Sequence, residues 1–263
     1  MTPNILSMAG SDPSGGAGIQ ADIKSISANG GYAMAVITAL TAQNTQGVTA
    51  VEVTPLEMIT AQIAAIRADI RIDAIKIGML GNAPVIETVA EALEGLDTPI
   101  VLDPVMVAKG GDRLLDPSAV AALRAVLVPR ATVITPNLPE AADLLGEAEA
   151  TDIDAMHLQG EALLSLGPKA VLLKGGHLNS GDAVDLVLSA DGTAELTSPR
   201  TATRNTHGTG CTLSSALATQ LGLGHSLTEA AERAKAYISK AIATADELDV
   251  GQGHGPVNHF HRS

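Results

Sequence analysis

The stretch Asn205-Thr206-His207-Gly208-Thr209-Gly210-Cys211-Thr212-Leu213-Ser214 holds the densest chemistry in the chain, with two glycines around a threonine and the sole cysteine directly after them. Upstream the residues are polar and turn-forming, whereas downstream Leu213, Leu217 and Leu221 recur at helical spacing. The motif therefore opens a helix. Gly208 and Gly210 allow the backbone to pass close to a ligand, and the amides of Thr209, Gly210 and Cys211 stand at the positive end of the helix dipole. Such a corner suits an anion, a phosphate above all. A glycine-rich turn that only joins two elements has the same local composition, so the neighbouring motifs must decide.

Three of those motifs each follow a short apolar run. In Leu102-Asp103-Pro104 the carboxylate of Asp103 is placed to hold magnesium directly or through water, or to shape a turn. Asn137-Leu138-Pro139-Glu140 reads as a capping box whose Glu140 also reaches toward a metal-bound water. Lys174-Gly175-Gly176-His177 sets a cation beside a flexible backbone, an arrangement suited to nucleotide phosphates. A second glycine-rich loop spans residues 9–18, where Gly16-Ala17-Gly18-Ile19-Gln20-Ala21 formally fits a dinucleotide fingerprint. The run before it stops several residues too early and no acidic residue closes the next run, which argues against a nicotinamide cofactor. A P-loop motif is absent. The tail from Gly251 to His261 offers His254, His259 and His261 but no carboxylate or cysteine to complete a ligand set, so no metal is expected there. Residues 107–112, with hinge-like Gly110 and Gly111, read equally as a lid or a plain surface loop.

The elements that must position these residues follow from periodicity. Apolar runs at residues 5–8, 33–39, 74–77, 100–102, 133–134 and 170–173 read as buried strands of a parallel sheet, with residues 40–45 leading out of the second. Between them Leu56, Ile59, Ile63, Ile66 and Ile70 step by three and four, and Thr54-Pro55-Leu56-Glu57 predicts a capping box with proline at the first helical position. Ile19, Ile23 and Ile26 mark an earlier helix, and Ser226-Leu227-Thr228-Glu229 caps a later one running toward Asp246. Residues 184–188 and 194–196 around Asp191-Gly192 predict an antiparallel hairpin at the far edge. The alternation predicts one α/β domain over residues 1–263, with a mostly parallel central sheet, helices on both faces and an antiparallel edge. Ligands then gather beyond the carboxyl ends of the strands, where the motifs above fall.

Composition bounds the partners. With 46% hydrophobic residues in 263, the chain buries a substantial core, and a formal charge of −13 argues against a nucleic-acid partner. An anionic substrate must then be held by a local device of amides, lysine or metal. The first residues lack a basic region followed by an apolar run, and no stretch approaches the roughly 20 apolar residues of a membrane span, so a cytoplasmic protein with no membrane association is expected. A lone cysteine excludes an internal disulfide. With only Tyr32, Tyr237 and Phe260 as aromatic residues, a flat substrate must rest on aliphatic and methionine walls.

Taken together, the pieces at residues 9–18, 41–45, 76–80, 102–106, 135–140, 174–177, 205–214 and 251–259 resemble the hydroxymethylpyrimidine and phosphomethylpyrimidine kinases of thiamine biosynthesis, within the ribokinase-like superfamily. The resemblance runs over nearly the whole chain. It implies a ribokinase-like fold, a homodimer, and ATP-dependent phosphorylation of 4-amino-5-hydroxymethyl-2-methylpyrimidine and then of its monophosphate. It places the pyrimidine near Gly10, Asp22, Gln43, Met79, Val105 and Cys211, with the Gln43 amide reading the ring's nitrogen edge. It places ATP and Mg2+ near Asp103, Asn137, Glu140, Lys174 and the loop of Gly208, Thr209, Gly210 and Cys211. Many superfamily members carry aspartate where this chain has Cys211, and the pyrimidine kinases are the branch it resembles in carrying cysteine. A free thiol titrates near 8.5 and a helix N-terminus lowers that value, so Cys211 is expected to serve as a thiolate base in the first transfer. Two other readings use the same residues: a pyridoxal or pyridoxine kinase, and a regulatory protein that binds nucleotide or pyrimidine without transfer.

Overall fold

The computed structural model describes residues 1–106, 117–176, 178 and 181–261. The segment at 107–112, read equally as a lid or a plain surface loop, lies outside them. In chain order the elements are β1 (Asn4–Ala9), α1 (Gly18–Ala28), β2 (Tyr32–Ile37), β3 (Ala39–Asn44), β4 (Gly47–Val53), α2 (Leu56–Asp69), β5 (Ala74–Ile77), α3 (Ala83–Ala92) and β6 (Ile100–Leu102). They continue with α4 (Pro117–Ala122), β7 (Val133–Ile134), α5 (Leu138–Leu145), α6 (Ile153–Leu164), β8 (Ala170–Lys174), β9 (Asp182–Ser189), β10 (Gly192–Pro199), α7 (Thr209–Gly222) and α8 (Leu227–Ala243).

Eight strands form one sheet in the order β10-β9-β8-β7-β6-β5-β1-β2. Pairing is parallel from β2 across to β8, and β9 and β10 complete it as the expected antiparallel hairpin. Successive side chains of a strand face opposite layers. Ile5, Ala74, Val101, Val133 and Leu172 accordingly join a core with Leu213, Leu217, Ala234 and Ile238 of α7 and α8. Leu6, Met8, Ile75, Leu102 and Leu173 join the opposite core, with Ile59, Ile63, Val89 and Leu163 from α2, α3 and α6. Both faces are covered, which is why these strands read as continuous apolar runs.

Three local expectations are corrected. The segment at 40–45 is strand β3, paired antiparallel with β4 in a separate two-stranded sheet. Much of the hairpin is exposed, so no buried face imposed an apolar alternation that could be read. The second strand of the main sheet therefore stops at Ile37, and Thr38 turns the chain out of it. Helix α2 begins at Leu56 without a side-chain cap, because the Thr54 amide is bonded to the Thr38 carbonyl and Pro55 itself occupies the cap position. By contrast Ser226 caps α8 by accepting from the Glu229 amide, and Asn137 and Glu140 form the reciprocal box at α5.

Between the sheet and the α1/α7 layer lies a fully buried ion pair. Lys76 Nζ of β5 donates to both oxygens of Asp22 on α1 at 2.9 Å, while Ser7 and Ser215 donate to the same carboxylate at 2.6 and 2.8 Å. Removing one partner of such a pair leaves an uncompensated charge in the core, at a cost of about 3–5 kcal/mol. Lys76→Met is therefore expected to lose about that much in urea unfolding, and Asp22→Leu/Lys76→Met much less. A single variant as stable as the parent would show that the pair does not hold the layers together.

Candidate active site

The carboxyl ends of β1, β5, β6, β7 and β8 and the first turn of α7 surround one cleft of about 800 Å³. Gly10, Gln43, Met79, Val105, Asp103, Asn137, Glu140, Lys174 and Gly208, Thr209, Gly210 and Cys211 all line it. Asp22 does not. It is fully buried with Lys76, Ser7 and Ser215, so the residue that the resemblance set near the pyrimidine stands behind the cleft lining.

Sequence order explains the convergence. Gly208 adopts φ +77° as the residue before α7, and a β-carbon there would lie 1.8 Å from the Gly16 carbonyl oxygen, so the two glycine-rich loops meet backbone to backbone. The first helical bond is made by the Thr212 amide to the Gly208 carbonyl, leaving the amides of Gly210 and Cys211 ahead of the intrahelical ladder. The Thr209 amide, expected to face a ligand too, turns back to the Thr206 carbonyl at 3.3 Å. A β-carbon on Gly210 would lie 3.2 Å from Lys174 Nζ and 3.5 Å from Asp103 Oδ2, so this glycine opens the helix end directly onto the charged cluster.

That cluster is one cation between two carboxylates. Lys174 Nζ lies 3.1 Å from Asp103 Oδ1 and 3.8 Å from Glu140 Oε2. The Lys174 amide bonds to the Pro136 carbonyl, which seats the end of β8 beside Asn137 and Glu140. Burial acts to raise the Asp103 carboxyl, but Lys174, Lys76 and the Thr135 hydroxyl outweigh it and hold it below its ordinary range. Burial dominates at Glu140, where the neighbouring charges of Asp103 and Asp143 add to it, and its carboxyl is pushed up to about 7 despite Lys174. Lys174 is held above its ordinary range, because the two carboxylates overcome the desolvation of the ammonium. Two carboxylates against one lysine leave hard oxygen donors for a cation, and a site of this kind fits magnesium that keeps part of its water shell. Among the described residues no cluster of three or more histidine, cysteine or acidic side chains forms a cage for a bare ion.

Cys211 lies partly exposed in this cleft, yet its thiol is pushed up to about 11. Desolvation is the largest cause, with the charges of Asp22 and Asp103 adding to it and Lys76 and the Gly18 amide opposing it. The lowering expected from the helix N-terminus is thus corrected to a raised thiol.

On the opposite wall β4 carries a bulge at Thr49, opposite Ala42 and Gln43 of β3, and the register shifts between those two residues. Gln43 Nε2 lies 3.5 Å from Nε2 of the buried His207. His207 Nε2 in turn lies 2.8 Å from Asp12 Oδ2, which also accepts from the amides of Gly16 and Ala17. Burial raises the Asp12 carboxyl, but His207, Ser14 and Ala17 outweigh it and keep it low. An ionised carboxylate only accepts, so Nε2 of His207 carries the hydrogen and the Gln43 amide nitrogen is left for a ligand.

Sequence reasoning quoted Asp12 and His207 inside motifs without giving them roles, because their pairing spans 195 residues and has no local signature. It also missed the apolar residues Leu213, Ile238, Ile242 and Pro199 that line the same cleft as Lys174. Lys235 is paired with Asp185 at 2.7 Å, and Asp185 accepts from the Gly175 amide. The α8 periodicity displays Ile238 and Ile242, but a core face and a ligand face look alike in sequence. The tail is packed rather than loose: Val257 and His259 are buried, and burial pushes His259 down to about 4.

Comparison with known proteins agrees with this architecture. The family model described as phosphomethylpyrimidine kinase matches residues 12–258. The hydroxymethylpyrimidine/phosphomethylpyrimidine kinase of Rhizobium meliloti (strain 1021) is 52% identical over 262 residues, covering 100% of this chain and 98% of that one. The ADP complex of Bacillus subtilis pyridoxal kinase superposes with a TM-score of 0.91 at 37% identity, covering 98% of each chain. The phosphomethylpyrimidine kinase of Clostridium difficile 630 superposes with a TM-score of 0.82 at 45% identity, covering 92% of this chain and 100% of that one. The fold is thus the expected ribokinase-like one, and the chain belongs to the phosphomethylpyrimidine kinase family.

Proposed function

We propose that this chain is an ATP-dependent kinase that phosphorylates the hydroxymethyl group of 4-amino-5-hydroxymethyl-2-methylpyrimidine, and then the resulting monophosphate, to supply thiamine biosynthesis. The observation that carries this reading is the meeting of the α7 N-terminus with Lys174, Asp103 and Glu140, facing a ring-sized wall of Gln43, Met79 and Val105. We further infer that the chain works as one domain within a cytoplasmic homodimer. The continuous eight-stranded sheet supports the first point and the resemblance of the motifs the second. No described helix is long and apolar enough to cross a membrane.

The proposed division of labour follows from charge. The adenine base sits against Ile238 and Ile242, and the phosphates run past Lys174 and Asn137 to Thr209, Gly210 and Cys211. Asp103 and Glu140 hold magnesium, in part through water; when bound, the ion neutralises charge on the nucleotide phosphates. The hydroxymethyl oxygen bonds to the γ-phosphorus as the bond to the bridging oxygen of ADP breaks, and the Gly210 and Cys211 amides with Lys174 stabilise the moving phosphoryl group. In the first transfer the hydroxyl proton passes to deprotonated Cys211. In the second the acceptor is already an anion and needs no base. Gln43 and the Gly10–Met79 corner orient the ring. Asp22, beneath the cleft, positions α1 and α7 and does not bind the ring.

The first test is ADP release with magnesium-ATP and hydroxymethylpyrimidine, its monophosphate or pyridoxal as acceptor, with product masses read from the same reactions. Conversion of both pyrimidines is expected. Preference for pyridoxal, the substrate in the name of the Bacillus subtilis neighbour, would reassign the acceptor, and binding without ADP release would remove catalysis.

A thiol at about 11 in the free protein gives the first transfer a pH signature. Only the deprotonated form accepts the proton, so kcat/KM for hydroxymethylpyrimidine is expected to rise about tenfold per pH unit through neutral and mildly alkaline pH. Cys211→Ala should flatten that rise and lower the first transfer about 10²–10⁴-fold. Equal losses in both transfers would exclude Cys211 as the base.

Glu140 supplies a stability test without substrate. Its folded-state carboxyl at about 7 lies above the ordinary 4.5, so the folded protein keeps a proton that the unfolded chain has lost between those values. Stability contributed by the neutral form is complete below about 4.5 and is lost as pH rises to about 7. Glu140→Gln retains the capping geometry and removes this titration. The parent's Tm is expected to fall relative to the variant across that window; parallel curves would show an ordinary carboxyl at 140.

A further inference from the structure

The tail motif Gly251-Gln252-Gly253-His254-Gly255-Pro256-Val257 has no part in the chemistry above, yet it joins the tip of the β3–β4 hairpin to the loop before α7. The His254 amide donates to the Thr45 carbonyl at 2.8 Å and the Gly253 amide to the Thr45 hydroxyl at 3.2 Å, so the strap grips the tip of the β3–β4 hairpin. Two residues on, the His207 amide donates to the Gly255 carbonyl at 3.0 Å and the Gly255 amide to Asn205 Oδ1 at 3.1 Å. Beyond that the chain is anchored, with the Asn258 amide on the Ala241 carbonyl of α8 and His259 Nε2 3.0 Å from the Thr212 hydroxyl of α7.

The alternate glycines are required by contact. A β-carbon on Gly253 would stand 2.0 Å from the Thr45 carbonyl oxygen and 2.5 Å from its carbon, backbone atoms that no rotamer change can move. A β-carbon on Gly255 would stand 2.3 Å from Asn205 Oδ1 and 2.8 Å from Asn205 Cγ, a side chain that a substitution can remove. The hairpin needs such a hold. It lies outside the main sheet, a two-stranded ribbon alone is marginal in water, and its base is tied to the loop after β1 through Ser11 while its tip meets the strap.

We propose that residues 251–257 are a positioning strap for the acceptor: by tying Thr45 to Asn205 and His207, they hold β3 against His207 so that the Gln43 amide is aimed at the ring's nitrogen edge. This rests on the kinase reading above. The strap touches no reacting atom and acts through Gln43 and His207. Its disturbance should therefore appear in acceptor binding, while ATP, held along the far side of Lys174, is little affected.

The test measures KM for hydroxymethylpyrimidine and for ATP, with kcat and Tm, in Gly253→Ala, Gly255→Ala, Asn205→Ala and Asn205→Ala/Gly255→Ala. Misplacement near 1 Å costs up to about 10²-fold, so the acceptor KM is expected to rise about 10–100-fold in each glycine variant while the ATP KM stays within about twofold. In the Asn205→Ala background, Gly255→Ala should cost little, because its clash has been removed. A folded Gly253→Ala with an unchanged acceptor KM, or a parallel rise in both KM values with falling Tm, would overturn the proposal. Should Gly253→Ala fail to fold, the Gly255 and Asn205 cycle decides alone. A parent chain that turns over no pyrimidine overturns the kinase reading and the strap's role with it.

Discussion

The carboxylate of Asp22 ties four elements into one body. Standing on α1, it accepts from Ser7 of β1, from Lys76 of β5 and from Ser215 of α7, all with no exposure to water. Burying two charges is costly unless every lone pair and proton is engaged, and here both oxygens accept twice. Ser215 lies one helical turn after Cys211 on α7. The pair that joins sheet to helix layer thus fixes where the N-terminus of α7 opens, and its two charges act on the thiol with opposite signs. Its contribution is register more than net stability, since a well-packed apolar pair often serves stability as well.

With the helix end fixed, the cleft resolves a conflict between the protein's overall charge and its proposed substrates. A chain with a formal charge of −13 repels phosphates at long range. Local groups reverse this at short range: the first-turn amides of α7 and the half-buried Lys174, whose ammonium is kept charged by Asp103 and Glu140. The same carboxylates oppose phosphate unless a cation joins them, and the Glu140 carboxyl at about 7 expresses that surplus of negative charge. Burial and the neighbouring carboxylates therefore favour a proton at Glu140, and the proposed divalent cation would answer the same excess of negative charge.

How much of this was legible in the sequence depended on range. The buried strands were readable because both faces are covered, and the edge hairpin because Asp191-Gly192 marks a turn. The α5 capping box and the Gly208–Cys211 corner were readable because each is complete within a few residues. The β3–β4 hairpin was not, since its residues face water and its bulge interrupts the alternation. Asp22 was set near the ring by resemblance alone, and its pairing with Lys76 has no local signature in the sequence. The Cys211 thiol was misjudged for a different reason: a helix dipole is visible in sequence, whereas desolvation and the carboxylates of Asp22 and Asp103 appear only in three dimensions.

The pairing of Asp12 with His207 joins these threads, because it links the two glycine-rich loops across 195 residues. Asp12 organises its own loop by accepting from the amides of Gly16 and Ala17, and Gly16 is the residue whose carbonyl leaves no room for a side chain at 208. One carboxylate therefore shapes the loop against which the phosphate corner packs and fixes the imidazole beside Gln43. The acceptor wall and the phosphate corner share a support, so neither can shift alone. Phosphoryl transfer is governed mainly by positioning and charge, and under the proposed function this shared support is what would hold a small flat acceptor in line with a nucleotide in a chain with few aromatic residues.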